Sequence, residues 1–233
     1  MNPLLLIPVV LLVVAGVIFM IYMNKKHQSV KSEIDLDSER NKYDVYKQEV
    51  LAQDFPQLKQ WMKGKSIDAY TSASVPQSTA NKVQDIISGG IKNAALSTIG
   101  VKLKRIETEC FWVLSGSDLH FFSTNTVGEL DDNIIFDNFR IEGAKLQYGG
   151  ILKSQLRVYS KSSEEYLPKT HIITFEIDGT PVSLEIHDRL NYVPDPADIL
   201  DLKKQLMTRA KYQVVGEKFV KILQDKFPNL QLA

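Results

Sequence analysis

Twenty uncharged residues in a row, Leu4 to Met23, set the strongest limit on this chain. A helix rises about 1.5 Å per residue, so this run would span about 30 Å, the thickness of a bilayer's hydrocarbon core. We therefore predict a transmembrane helix, with residues 1–24 as a single-span anchor in the membrane. The apolar residues assigned to this predicted anchor include Leu4, Leu5, Leu6, Ile7, Val9, Leu11, Leu12, Val13, Val14, Val17, Ile18, Phe19 and Ile21.

A cleaved secretory signal peptide is the competing interpretation of the same run. Such a peptide starts with basic residues and ends at a small-residue cleavage site, whereas no charged side chain precedes Leu4 and no convincing cleavage site follows the run. The run is thus predicted to be an uncleaved signal anchor. Because basic residues stay on the cytoplasmic side, Lys25, Lys26 and Lys31 predict a single-pass protein of the inner membrane with its N-terminus outside and its domain in the cytoplasm.

Composition limits the classes of function. The 28 basic and 28 acidic side chains give zero formal net charge, so no overall field attracts nucleic acid. Cys110 is the only cysteine, which excludes an intramolecular disulfide and a cysteine-rich zinc site. The four histidines are scattered, and none has a second catalytic group predicted beside it. We therefore expect no metal, no cofactor and no enzymatic activity.

Residues 25–100 are predicted to form a linker and a helical arm. Apolar residues recur at helical spacing from Ser38 to Ala52, and a shorter helix is predicted to follow through Trp61. Lys65 to Ala80 is rich in Ser, Thr, Ala and Pro, which indicates a connecting loop. Asn81 to Ile99 predicts a weak helix, and Ile86 to Val101, in which Lys92 is the only charge, is predicted either to lie in the bilayer interface or to cover a sheet.

From Val101 the apolar residues alternate, and the clearest strands are two runs on either side of Gly116-Ser117. With a two-residue turn there, one face of the hairpin carries Phe111, Val113, His120 and Phe122, and the other face is apolar as well. A sheet with one face in water should alternate cleanly between apolar and polar residues. These four residues are therefore predicted to face either a docking partner or a covering helix.

The rest of the chain predicts more strands and a final helix. A second hairpin is predicted to turn at Asp178-Gly179, and a long helix is predicted from Asp195 to a stop at Pro228. The shorter predicted strands are Ile134 to Phe136, Phe139 to Tyr148 and Gln155 to Ser160.

This order of elements, about seven antiparallel strands and one closing helix, resembles the pleckstrin-homology-like fold of bacterial proteins. The resemblance covers Val101 to Phe227 and includes the aromatic hairpin Phe111-Trp112-Val113-Leu114 to Leu119-His120-Phe121-Phe122. It implies a bent sheet closed at one end by the C-terminal helix and a binding or scaffolding role. Phosphoinositide-binding members carry a basic loop between their first two strands. That loop is predicted here to be Ser115-Gly116-Ser117-Asp118, which has no basic residue, so inositide binding by this route is not expected.

The predicted fold class is therefore α+β: an N-terminal transmembrane helix, a helical arm, and over residues 101–233 an antiparallel pleckstrin-homology-like barrel or sandwich closed by a long helix. The leading hypothesis is a non-catalytic, membrane-anchored cytoplasmic scaffold or adaptor that docks a protein partner or a second copy of itself. The alternatives are a module that binds a lipid surface, supported by the lysines after the anchor, and an enzyme of unrecognised type.

Overall fold

The computed structural model of the chain describes residues 13–22, 24–26, 29, 34–75, 109–151, 169–177, 179–193 and 201–232. The chain divides into two compact units. One comprises Met1–Lys42 and Tyr192–Lys211, and the other comprises Tyr43–Asn191 and Tyr212–Ala233. All the strands belong to the second unit.

The prediction of a transmembrane helix at the N-terminus is wrong. Within the described ranges, no helix combines the length and the apolar character that a membrane span requires. Residues 13–22 are helical. Val13, Val14, Val17, Ile18, Phe19 and Ile21 lie on this stretch with exposed side chains. Leu4, Leu5, Leu6, Ile7, Val9, Leu11 and Leu12 lie outside the described residues. Lys25 and Lys26 are helical and exposed, and Lys31 is not among the described residues.

Between the N-terminal helical residues and the sheet, the structure describes three further short helices. They are α1 (Leu36–Arg40), α2 (Tyr43–Gln53) and α3 (Pro56–Trp61). Pro56 fits the first position of α3 because its missing N–H has no partner to lose there. After α3, Lys63 and Gly64 take positive φ angles of 49° and 86°, which turn the chain toward the sheet.

In the described part of the chain, seven antiparallel strands form one sheet in the order β4-β3-β2-β1-β7-β6-β5. They are β1 (Ala69–Ser74), β2 (Cys110–Ser115), β3 (Asp118–Thr124), β4 (Leu130–Phe136), β5 (Lys145–Ile151), β6 (Lys169–Ile177) and β7 (Thr180–His187). A short helix, α4 (Asn138–Glu142), follows β4, and a long helix, α5 (Leu202–Lys226), precedes a final turn at Pro228–Leu230. The first and last strands are neighbours, and β4 and β5 are the edges of the described sheet.

Both predicted hairpins are confirmed with their registers. In the first, Phe111 pairs with Phe122 and Val113 with His120, and Gly116 supplies the positive φ of the turn. In the second, the pairs are Phe175 with Val182 and Ile173 with Leu184.

Two local predictions are wrong. The supposed loop from Lys65 to Ala80 contains β1, a central strand whose side chains are almost all buried. The supposed strand from Phe139 to Tyr148 begins instead with α4, because the Asp137 carboxylate accepts the Arg140 backbone N–H at 3.0 Å and caps a helix. The predicted elements at Asn81 to Ile99, Gln155 to Ser160 and Asp195 lie outside the described residues.

The core shows that the sheet is strongly bent. Phe136 of β4 and Phe175 of β6 stack with ring centroids 3.8 Å apart, although five strand spacings, about 24 Å in a flat sheet, separate these strands. Trp112 fills the space beside both rings. Phe219, Leu223 and Phe227 from the end of the chain complete the same core.

Candidate functional site

The four residues predicted to face a partner or a helix are buried beneath helical side chains. Phe111, Val113, His120 and Phe122 expose at most 2% of their surface. The Phe55 ring lies 5.4 Å from that of Phe111, and the Trp61 ring lies 5.5 Å from that of Phe122. α3 and the residue before it therefore cover this outer face of the sheet over β2 and β3.

The cover stops before the edge strand. Leu130 and Ile135 pair with Thr124 and His120 of β3, so their side chains share the outer face, yet they are 37% and 39% exposed. Just beyond β4, Phe139 on α4 is 83% exposed. We call Leu130, Ile135 and Phe139 the β4 margin. It is the part of the outer face that α3 leaves open to a second molecule.

Two backbone groups of β4 already form hydrogen bonds with side chains of β4 or of α4, which follows it. The Asn133 N–H donates to the Asp132 carboxylate at 2.8 Å, and the Arg140 guanidinium donates to the Ile135 carbonyl at 3.1 Å. The ladder to β3 is also irregular next to Thr124. Such devices block the addition of another strand to an edge. The β4 margin therefore offers side chains rather than a free strand edge.

His120 lies under this surface. Its Nδ1 is 3.3 Å from the Asn133 side-chain oxygen, while its Nε2 is buried without a hydrogen-bond partner in the described part of the chain. Burial lowers the pKa of His120. The hydrogen bond to the Asn133 oxygen acts to raise this pKa, and the nearby Lys65 acts to lower it. The ring is therefore neutral at pH 7 and retains one unused hydrogen-bonding nitrogen.

A second cluster of polar side chains joins β1 to β7. The Ser74 hydroxyl donates to the Glu185 carboxylate and lies 2.9 Å from His187 Nε2. On the other side of the ring, His187 Nδ1 is 3.4 Å from the Asn191 side-chain oxygen. The Thr71 hydroxyl donates to the His187 carbonyl at 2.8 Å. We call Ser74, Glu185, His187 and Asn191 the β1–β7 polar cluster.

This cluster places a serine beside a histidine, as in nucleophilic catalysis, but its chemistry is different. The single hydroxyl proton of Ser74 goes to Glu185, so the histidine is not its acceptor. Burial lowers the pKa of His187 to about 4, which makes it a poor general base at neutral pH because an efficient base has a pKa near the pH of the reaction. The hydrogen bonds of this cluster link β1 to β7.

The remaining titratable groups do not converge on a metal. Among the described residues, no three His, Cys, Asp or Glu side chains are grouped to hold an ion. His171 pairs with Ile186, whereas His187 pairs with Thr170, so the two histidines point to opposite faces of the sheet.

Two side chains from other parts of the chain contact the turn of the aromatic hairpin. The Asp68 carboxylate accepts the Gly116 N–H at 2.8 Å, and Lys226 lies 3.6 Å from the same carboxylate and donates to the Gly116 carbonyl. Because β1 precedes this hairpin, its turn joins the second and third strands. The loop Ser115-Gly116-Ser117-Asp118 was predicted to join the first two strands, and this prediction is wrong because β1 (Ala69–Ser74) comes before it.

The sequence did not indicate several of these residues. Ser74 falls in a segment that predicted a loop, and its partner Glu185 is 111 positions away. Phe139 was predicted to lie in a strand. The one available signal was Asp137, a residue type favoured as a helix cap.

Comparison of this chain with protein-family models, with curated proteins and with solved structures finds no match.

Proposed function

We propose that this chain is a non-catalytic module of pleckstrin-homology-like architecture that docks a protein partner through the β4 margin. One observation carries the proposal: an apolar sheet face is covered by α3 over two strands and left open over the third. Phe139 stands out there with 83% of its surface exposed. Eight other phenylalanines are buried, namely Phe55, Phe111, Phe121, Phe122, Phe136, Phe175, Phe219 and Phe227.

The architecture supports this role. Two antiparallel meanders, β1 to β4 and β5 to β7, meet where β1 pairs with β7, and residues of α5 pack into the bent core. Seven described antiparallel strands and a C-terminal helix are the kinds of element that the sequence resemblance implies, although β1 lies before Val101, where that resemblance begins. The polar groups nearest to a catalytic arrangement, Ser74 and His187, are occupied with each other and with Glu185.

An exposed aromatic ring beside aliphatic side chains is the kind of surface on which protein partners obtain most of their binding energy. The test is recovery of a partner from cells by the full chain and by two variants. Phe139→Glu places a charge on the β4 margin. Val45→Glu is the matched control, because Val45 is 65% exposed on α2 and away from the margin.

A partner retained by the unchanged chain and by Val45→Glu, but lost with Phe139→Glu, is the expected result. A single hot-spot substitution costs about 2 kcal/mol or more in binding, or about thirtyfold in affinity. Equal recovery of the same proteins by all three forms contradicts the proposal, and so does the absence of any retained partner.

A lipid surface is the second candidate ligand, and the position of β1 favours it. Residues 75–109 lie between β1 and β2, the first two strands that the structure describes. Their sequence carries three acidic residues and five basic ones, which are Lys82, Lys92, Lys102, Lys104 and Arg105. Basic clusters of this kind bind anionic lipid, with each Lys or Arg contributing about 1 kcal/mol near the surface.

Flotation with vesicles tests this second candidate. The full chain should bind anionic vesicles more strongly than neutral ones, and replacing Lys102, Lys104 and Arg105 by Gln should remove most of that difference. Equal binding to both kinds of vesicle, or an unchanged preference in the triple variant, excludes a lipid role for these residues.

A further inference from the structure

We infer that the partner of the β4 margin presents a basic, amphipathic helix. This inference rests on the docking role proposed above and adds the chemistry and the shape of the partner. Three observations support it: the charge beside the margin, the state of the β4 backbone and the spacing of the exposed apolar side chains.

The charge beside the margin is mainly acidic. From Asn125 to Phe139 the sequence contains four carboxylates and no Lys or Arg. The carboxylates are Glu129, Asp131, Asp132 and Asp137. Their hydrogen bonds within the described chain are local, for example the one that the Arg140 N–H donates to Asp137 at 3.0 Å, and none of them forms an ion pair with a described basic residue. Arg140, whose guanidinium donates to the Ile135 carbonyl, brings one positive charge to the margin, so a partner that brings positive charge would meet a border of net negative charge.

The β4 backbone disfavours an extended partner. The Asp132 carboxylate and the Arg140 guanidinium occupy the Asn133 N–H and the Ile135 carbonyl. An added strand would have to displace both bonds before forming its own. A helix that packs through side chains leaves them in place.

The apolar spacing fits a helix. From Leu130 to Ile135 the strand extends about 13–16 Å, which equals two to three turns of an α-helix. Apolar side chains one, two and three turns apart lie on one helix face. Such a face could rest on Leu130 and Ile135 while its basic flank approaches the nearby carboxylates. Asp132 pairs with Ser123 and so belongs to the opposite face, but its bond to the Asn133 N–H brings its carboxylate to the edge of the sheet.

Fluorescence anisotropy with designed peptides tests the inference on the full chain. The probe is a labelled peptide of about eighteen residues, or five turns, built from Leu and Lys at helical spacing. One comparison peptide has Glu in place of every Lys, and another has Ser in place of every Leu. The Leu–Lys peptide should bind about tenfold more tightly than either, because both charge and apolar area contribute.

Charge variants locate the binding site. Asp131→Asn with Asp132→Asn keeps the side-chain oxygen that caps Asn133 and removes two charges. It should weaken binding of the Leu–Lys peptide about fivefold at low salt, and less at high salt, because exposed charges are screened. Asp44→Asn with Asp225→Asn is the control. It removes the same charge from exposed positions on α2 and α5 and should leave the affinity unchanged.

Three results overturn the inference: equal binding of the Lys and Glu peptides, equal binding of the Ser-containing peptide, or equal loss with both double variants. If the Leu–Lys peptide fails to bind while the cellular partner still depends on Phe139, the docking role stands and the basic helix is wrong. If Phe139→Glu has no effect on any partner, the docking role itself fails.

Discussion

Gly216 marks the tightest approach of helix α5 to the strand end. A Cβ atom there would lie 2.3 Å from Arg189 Cα and 2.4 Å from the Arg189 nitrogen. These are backbone atoms, which cannot rotate away. The contact between helix and strand at this point therefore requires a residue without a side chain.

We predict that Gly216→Ala destabilises the protein by about 1–3 kcal/mol, the usual cost of forcing extra volume into a packed site. The gain in helix propensity from alanine, about 1 kcal/mol, acts in the opposite direction and reduces the effect. Urea unfolding measures it. Gly143→Ala is the control, because its nearest neighbour, the Arg140 carbonyl oxygen, would be 3.9 Å away. A Gly216→Ala variant as stable as the control would mean that α5 does not sit on Arg189.

Burial shifts the pKa values of two adjacent residues at the end of β7 in opposite directions. Burial raises the pKa of Asp188 to about 6, although Arg189 and the Lys169 N–H lower it. Burial lowers the pKa of His187 to about 4. The folded state thus binds more protons at Asp188, and fewer at His187, than the unfolded state does. Between pH 4 and 6, raising the pH therefore lowers the free energy of unfolding through the titration of Asp188. Over the same interval it raises the free energy of unfolding through the titration of His187.

We predict that Asp188→Asn reveals the contribution of His187 to the pH dependence of stability. The variant keeps the oxygen that accepts the Lys169 N–H at 2.9 Å, but it lacks the carboxyl group whose titration opposes that of His187. Its free energy of unfolding should therefore rise more steeply from pH 4 to 6 than that of the unchanged chain, by up to about 3 kcal/mol over the interval. Urea midpoints at each pH give the two curves. Parallel curves would contradict the assignment.

At the scale of elements, α3 acts as a cover for the outer face of the first hairpin. Trp61 is half-buried and contacts both Phe111 and Phe122. We predict that Trp61→Ala costs about 2–3 kcal/mol, somewhat less than the loss of a fully buried tryptophan, and increases binding of a hydrophobic dye to the native state. The control is Gln60→Ala, an exposed position on the same helix. If both variants behave alike, α3 contributes little to covering the sheet.

Elements with strong local signals could be predicted from the sequence. The hairpins at Gly116-Ser117 and Asp178-Gly179 have turn residues that fix the register, and alternating side chains then fix the faces. β1 has neither signal. Its small and hydroxylated residues resemble a loop, and it becomes a strand because β2 and β7 supply hydrogen bonds on its two sides.

The prediction of a transmembrane helix rested on the length and composition of one apolar run, and no helix in the described ranges is long and apolar enough to span a membrane. α4 shows a limit of apolar patterns directly, because the Asp137 cap starts a helix where the pattern favoured a strand.

At the scale of the whole molecule, the bend of the sheet depends on contacts between its two halves. Phe136 and Phe175 are each 1% exposed and stack across the bend. We predict a coupling of about 0.5–1.5 kcal/mol between Phe136→Leu and Phe175→Leu in a double-mutant cycle of unfolding free energies. The cycle of Phe111→Leu with Phe175→Leu is the control, since Phe111 lies on the opposite face, and it should give additive effects within about 0.5 kcal/mol. Additivity in both cycles would argue against the bend.

The candidate site could be predicted only in part. The four outer residues of the hairpin followed from its register, and so did the need for something to cover them. The sequence did not predict which part of that face stays exposed, because this depends on where α3 ends relative to β4. The β1–β7 polar cluster depends on pairing across more than a hundred positions, as between Thr71 and His187.

Local patterns in the sequence thus determined the two hairpins, their faces and the existence of a long C-terminal helix, because turn residues and apolar spacing act between near neighbours. Tertiary structure alone decided the place of β1, the bend, the cover over Phe111 and Phe122, and the exposure of Leu130, Ile135 and Phe139. Those features arise from contacts between segments far apart in the chain, and a short stretch of sequence carries no record of which distant residues will pack against it.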